Sequence, residues 1–151
     1  SRADSGTPCT GSWIMTEPLS HHDVLIYVMV TISAVDRTMN DEELARIGEI
    51  VSNLPVFADY DQEHLVKAAE ACGEILSADG GLEQVLRLVQ ERLPKKLRET
   101  AYAIALEIAA ADRMVKPEEI RFLELLSDSL DLDKLTTAAI ERGIRALNMT
   151  L

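Results

Sequence analysis

The chain has 151 residues, 47% of them hydrophobic and 27% charged, with a formal net charge of −11. A length of this order sustains one domain with its own core, without disulfide or metal staples. The charge argues against a nucleic-acid partner and against adhesion to anionic lipid, both of which need a basic face, and it favours cationic partners or ions.

Ser1 to Ile14 is rich in Ser, Thr, Gly and Pro and shows no period, and Met15 is a plausible natural start. Residues 1–19 are read as a disordered tail or cloning remnant that includes Trp13, and residues 20–151 as the folded domain. From Ser20, a candidate N-cap with Asp23 three residues on, Val24, Leu25, Val28, Ile32 and Val35 recur at helical spacing. Ile26, Tyr27, Met29 and Val30 fill the other faces, so this helix belongs at the centre of a bundle. The run Val24 to Val35 is about half of the roughly 20 residues that cross a bilayer, so it predicts no membrane insertion. His21, His22 and Asp23 stand where a signal peptide would carry basic residues, which argues against secretion.

A second helix is predicted to open with Asn40 as N-cap and Glu43 at N3, a capping box in form, and to run to Leu54 before Pro55. A third, from about Asp61 to Ala78, carries Leu65, Ala68, Ala69, Cys72, Ile75 and Leu76 on one face, until Asp79-Gly80-Gly81 breaks it. A short fourth helix with Leu82, Val85, Leu86 and Val89 ends near Leu93-Pro94. Pro94 begins a fifth that runs to Asp112. A sixth follows with Pro117 at N1 and Ile120, Leu123, Leu126 and Leu130, and a last one after Asp131 carries Leu135, Ala138, Ala139, Ile140 and Ile144. Seven helices without an alternating strand pattern predict an all-α, compact seven-helix bundle.

Two stretches share one register. AVDRTMNDEELARIGEI from Ala34 reappears as AADRMVKPEEIRFLELL from Ala110, and Asp112, Arg113, Glu118 and Glu119 each follow their counterparts Asp36, Arg37, Glu42 and Glu43 by 76 positions. The repeat predicts a duplicated helical hairpin related by an internal pseudo-two-fold. An Asp at a helix C-terminus faces the negative pole of the macrodipole, at a cost of a few tenths to about 1 kcal/mol. Seven residues later a Glu falls in the first turn of the next helix, so a tight hairpin brings the two carboxylates toward each other. A hard cation relieves their repulsion, and oxygen-only ligands suit calcium, magnesium or manganese. The alternative is helix-start chemistry alone, with Glu at N3 and Asp accepting from orphan N–H groups, and Arg37 and Arg113 as local ion-pair partners.

An apolar alanine-rich helix, an Asp, a turn and a Glu seven residues on, present as Ala34-Val35-Asp36 to Glu43 and as Ala111-Asp112 to Glu119, resembles the TerB tellurite-resistance family. The Leu54-Pro55-Val56-Phe57 and Leu130-Asp131-Leu132-Asp133 stretches are similar to it as well, and the resemblance covers about Ser20 to Leu135. It implies a compact seven-helix fold and a bacterial, cytoplasmic stress-response context. It also implies divalent-metal binding at Asp36, Glu43, Asp112 and Glu119; Glu42 and Glu118 are added by the repeat within this chain. Arg37 and Arg113 stand where the family usually has Gly, which implies a different turn. A chain at −11 repels the tellurite oxyanion at long range, so direct tellurite binding is not expected.

The remaining chemistry-bearing residues read as structural. Adjacent His21 and His22 do not face one ion, and His64 is isolated. Cys72 lies on an apolar face between Glu70 and Glu74, the opposite of an activating environment. With Cys9 in the polar tail, the two cysteines form neither a disulfide framework nor a zinc spacing, which fits a reducing cytoplasm. There is no catalytic triad order or nucleotide loop, and aromatics make up only 4% of the chain. The expectation is a non-catalytic, cation-binding module without further cofactors. The alternative is a metal-independent acidic module that docks a basic or membrane-associated protein partner. Oligomeric state is left open.

Overall fold

The computed structural model describes residues 19–35, 39–111 and 115–151. Among these there are seven α-helices and no strand: α1 His21–Ala34, α2 Asp41–Asn53, α3 Leu65–Ser77, α4 Gly81–Arg92, α5 Arg98–Ala110, α6 Pro117–Ser129 and α7 Lys134–Leu147. Short 3-10 turns at Pro55–Phe57, Gln62–His64 and Lys95–Leu97 join them.

Helix α1 is the centre. Every residue from Val24 to Ser33 is buried, and α1 packs against α2, α3, α4, α5 and α6. Its start is capped as the sequence predicts, with Ser20 Oγ accepting from the Asp23 N–H at 3.1 Å. Inside the core Thr31 turns its hydroxyl back onto the Tyr27 carbonyl at 2.7 Å, the local solution for a hydroxyl that has no water to meet. Cys72 is fully buried against the same stretch, its Sγ 3.6 Å from both Thr31 Oγ1 and the Tyr27 carbonyl. It is a packing residue, as expected.

The repeat is visible in the helix bounds. Shifting α2 by 76 positions lands on α6 residue for residue, and α1 maps onto α5 to within one residue at its start. Helices α1 and α5 pack together; α2 also lies on α5, and α6 also lies on α1. Each hairpin thus closes over its partner's central helix, the cross-wise arrangement of a pseudo-two-fold. Helix α3 lies on α1 as α7 lies on α5. Helix α4 packs on α1, α3 and α6, and no described helix stands in the equivalent place on α5, α7 and α2.

Two predicted helices begin later than their periodicity implied. Asp61 caps the Gln62–His64 turn through the Glu63 N–H at 3.0 Å, and α3 starts only at Leu65. Pro94 leads into the Lys95–Leu97 turn before α5 opens at Arg98. In both cases the first turn is tightened to 3-10 geometry, which side-chain period cannot distinguish from α. The break at Asp79-Gly80-Gly81 stands: Gly80 takes φ +74°, which glycine tolerates at no steric cost, and Gly81 begins α4. A second reversal, at Leu130-Asp131, uses Asp131 at φ 55° with bonds from Leu132 N to Ser127 O and from Asp131 N to Asp128 O, a Schellman end without glycine. Asp133 then caps α7 through the Thr136 N–H at 2.7 Å.

The corner between α3 and α4 generates a paired prediction. A Cβ on buried Gly81 would strike the Ile75 carbonyl and lie 2.7 Å from Leu76 Cα, whereas one on Gly73 in α3 meets nothing within 4 Å. Urea denaturation is expected to show Gly81→Ala destabilised by about 1 to 3 kcal/mol or more, and Gly73→Ala stabilised by about 0.5 to 1 kcal/mol.

Burial of Cys72 generates a second prediction. Desolvation pushes its thiol up from 9.0 to about 11, against a smaller lowering by the Thr31 hydroxyl. The unfolded thiol ionises first, so the stability contributed by the protonated thiol is present below pH 9 and is lost as pH rises toward 11. Urea midpoints of the wild type should fall across that window by more than those of Cys72→Ala.

Candidate cation site at the repeated helix starts

Both repeated glutamates occupy N3 of their helices and turn back onto the backbone. Glu43 Oε1 accepts from the Asn40 N–H at 3.0 Å while Asn40 Oδ1 accepts from the Glu43 N–H at 2.9 Å, a complete capping box. Glu119 Oε1 accepts from the Lys116 N–H at 2.9 Å. Lysine carries no acceptor, so the second hairpin keeps only this returning half of the box, with Pro117 at N1. The two starts therefore share more chemistry than Asn40 and Pro117 suggest.

These two carboxylates differ from the other acids around them. Glu43 is 8% exposed and Glu119 5%, and they are the buried acidic residues among those described. Glu42 and Glu118, one position earlier, are exposed. A helix start tolerates a desolvated carboxylate because the positive end of the macrodipole and an N–H bond both favour the charge. Asp36 and Asp112, with Arg37 and Arg113, lie outside the described residues.

The described flanks show how the two hairpins meet. Thr31, Ala34 and Val35, the last turn of α1, line a cavity of about 500 Å³ together with Pro117, Glu118, Arg121 and Phe122 from the start of α6. Residue 35, which precedes Asp36, and residue 117, a few positions beyond Asp112, thus belong to one surface. Among the described residues no three His, Cys, Asp or Glu side chains come together in a metal-holding group.

The histidines take structural places. His22 is buried, its Nε2 donating to the Val56 carbonyl at 2.8 Å, with Asp59 Oδ1 at 3.4 Å. Its ring packs against Phe57 and Tyr60 at centroid distances of 5.6 and 5.2 Å, pinning the start of α1 to the Pro55–Phe57 turn. His64 is exposed beside Asp61. Several ionisations are displaced by burial or by hydrogen bonds. Burial pushes Tyr27 up and Tyr60 up to about 12. Tyr102 is also raised, by burial and then by its 2.6 Å bond to Glu141, and Asp133 is lowered by its capping bonds to Thr136.

A seven-helix, all-α module made of two interlocked hairpins, each with a buried N3 glutamate at the start of its second helix, is the class of protein that fold and site define among the described residues. The family model described as tellurite resistance protein TerB matches residues 22–142, and the chain belongs to that family. No curated protein matches the chain significantly, and no solved structure does.

If the glutamates act as caps, their removal has a definite cost. Glu43→Ala and Glu119→Ala are each expected to destabilise the fold by about 0.5 to 2 kcal/mol. The glutamine variants, which keep the returning bond, should lose less in the same urea denaturation series.

Proposed function

We propose that this TerB chain is a non-catalytic cytoplasmic module of a bacterial stress response, binding a divalent cation through Glu43 and Glu119 together with Asp36 and Asp112. The observation that carries the reading is the burial of two carboxylates at one repeated register, 76 positions apart, when the acids beside them stay exposed. Each is held in a fixed rotamer by its N-cap N–H. All the donors are oxygens, which fits calcium, magnesium or manganese. Glu42 and Glu118, exposed beside them, would add negative charge. Among the described residues no helix is long and apolar enough to cross a membrane.

One observation favours a second reading. The capping bonds account for both glutamates without a metal. On that reading the chain is an acidic interaction module for a basic or membrane-associated protein partner.

Calorimetric titration with calcium and with manganese separates the two. The cation reading expects saturable binding below millimolar, abolished in Glu43→Gln/Glu119→Gln, and about 2.7 kcal/mol of added stability at 100 times the dissociation constant. A melting temperature that stays flat across metal concentrations would overturn it.

A further inference from the structure

The pseudo-two-fold relates two grooves, and among the described residues a helix is laid across one of them alone. The cavity at the start of α6 is lined by Thr31, Val35 and Phe122, and Leu82 of α4 with Leu76 of α3 form its far wall. Adding or subtracting the 76-residue register turns those three residues into Glu107, Ala111 and Arg46. All three line a second cavity, of about 570 Å³, between α2, α5 and α7. Its far wall is Ile144 and Leu147 of α7, and no described helix lies where α4 would fall. The exposures follow from that difference. Leu126 and Leu130 of the covered half are buried, while their counterparts Ile50 and Leu54 remain partly open. Helix α3 has four buried residues, whereas α7 has none, and Leu147 is 77% exposed.

What fits the open groove is indicated by what packs on its twin, where α4 lies on α1, α3 and α6 in the half that buries Leu126 and Leu130, beside the cavity that its Leu82 lines. Helix α4 is 12 residues long and seats an apolar stripe of Val85, Leu86 and Val89, a length of roughly 18 Å at 1.5 Å per residue. The open groove offers a comparable floor in Ile50, Leu54, Ile104 and Leu147. Its charged margin is Arg46, Glu49 and Glu107. Two carboxylates against one guanidinium, on a chain of net charge −11, attract cationic side chains and disfavour a second copy of this acidic chain.

We propose that the groove between α2, α5 and α7 seats an amphipathic helix of a protein partner, apolar on one face and basic at its margins, in the place that α4 takes in the other half. This is the helix-in-groove mode, with anchors at i, i+3, i+4 and i+7, and it does not depend on the cation site.

The probe is a fluorescein-labelled peptide of residues 81–93 carrying E83K and E91K, which puts lysines at two exposed positions of α4. Anisotropy with the full chain is expected to give saturable binding, weakened about tenfold or more by Leu147→Glu. That side chain is exposed, so the substitution leaves the fold intact; Ile50→Glu is the companion variant. Amide shifts in the labelled chain are expected on α2, α5 and α7. Absence of saturable binding, affinity unchanged in both variants, or shifts confined to α1, α3 and α6, where the peptide would be displacing α4, would overturn the proposal. So would a dimer that Leu147→Glu dissociates, or sedimentation of the chain with phosphatidylcholine–phosphatidylglycerol vesicles that the same variant abolishes.

Discussion

A helix with no polar face has to be surrounded, and α1 imposes that requirement on the rest of the chain. From Val24 to Ser33 it has no residue that water reaches appreciably, so five other helices are recruited to cover it. At about 25 cal/mol per Å² of apolar surface, covering such a helix is the dominant favourable term in a domain of this size. Its polar side chains are subordinated to the same demand. Thr31 bonds within its own helix, and His22 ties the first turn to Val56. The counterpart α5 carries smaller side chains, with Ala101, Ala105 and Ala109 buried, which lets it lie close against α1 at the pseudo-axis.

Duplication of the hairpin explains why two buried glutamates exist at all. Each hairpin closes over the other hairpin's central helix, so the start of α2 and the start of α6 are both drawn toward the interior. A residue at N3 of either helix is then desolvated. The orphan N–H of the N-cap position gives a carboxylate there a partner, and the helix dipole lowers the cost of its charge. Burial and capping are thus one consequence of a single geometry.

Much of this was legible because periodicity and cap chemistry are local. The all-apolar face count of α1 gave its central position, Asn40 and Glu43 marked a capping box, Pro117 marked N1, and the 76-residue register gave the duplicated hairpin before any coordinates. The 3-10 entries to α3 and α5 were not legible, since Asp61 and Pro94 mark a start without saying how tightly the first turn winds. At the candidate site, the repeat gave Glu42, Glu43, Glu118 and Glu119 together, and the family resemblance with its seven-residue spacing from the Asp put the weight on Glu43 and Glu119. Their burial, and the exposure of Glu42 and Glu118 beside them, depend on which way α2 and α6 roll onto the core. The grooves were invisible for a related reason: Ile50 and Leu126 occupy the same register, and only tertiary cover makes one half-open and the other buried.

The two halves depart from symmetry in a consistent direction. Where α4 covers the first groove the chain has Phe122 and Thr31, and where nothing described covers the second it has Arg46 and Glu107. Charge at those positions keeps an uncovered surface hydrated, and it also spares the protein an apolar patch of the size that invites non-specific association. Yet Ile50, Leu54 and Leu147 were not exchanged for polar residues, although Leu147 in particular gains little from its own fold. Helix α7 is consequently the least anchored of the seven. It rests on α5, with the Tyr102 to Glu141 bond and the Asn148 to Glu107 bond as its polar ties. An element that buries no residue of its own and is tied by these two side-chain bonds opens at lower free energy than the core around α1. A helix laid against α7 would therefore do for the second half what α4 does for the first: bury the remaining apolar floor and fix the outermost helix against its neighbour.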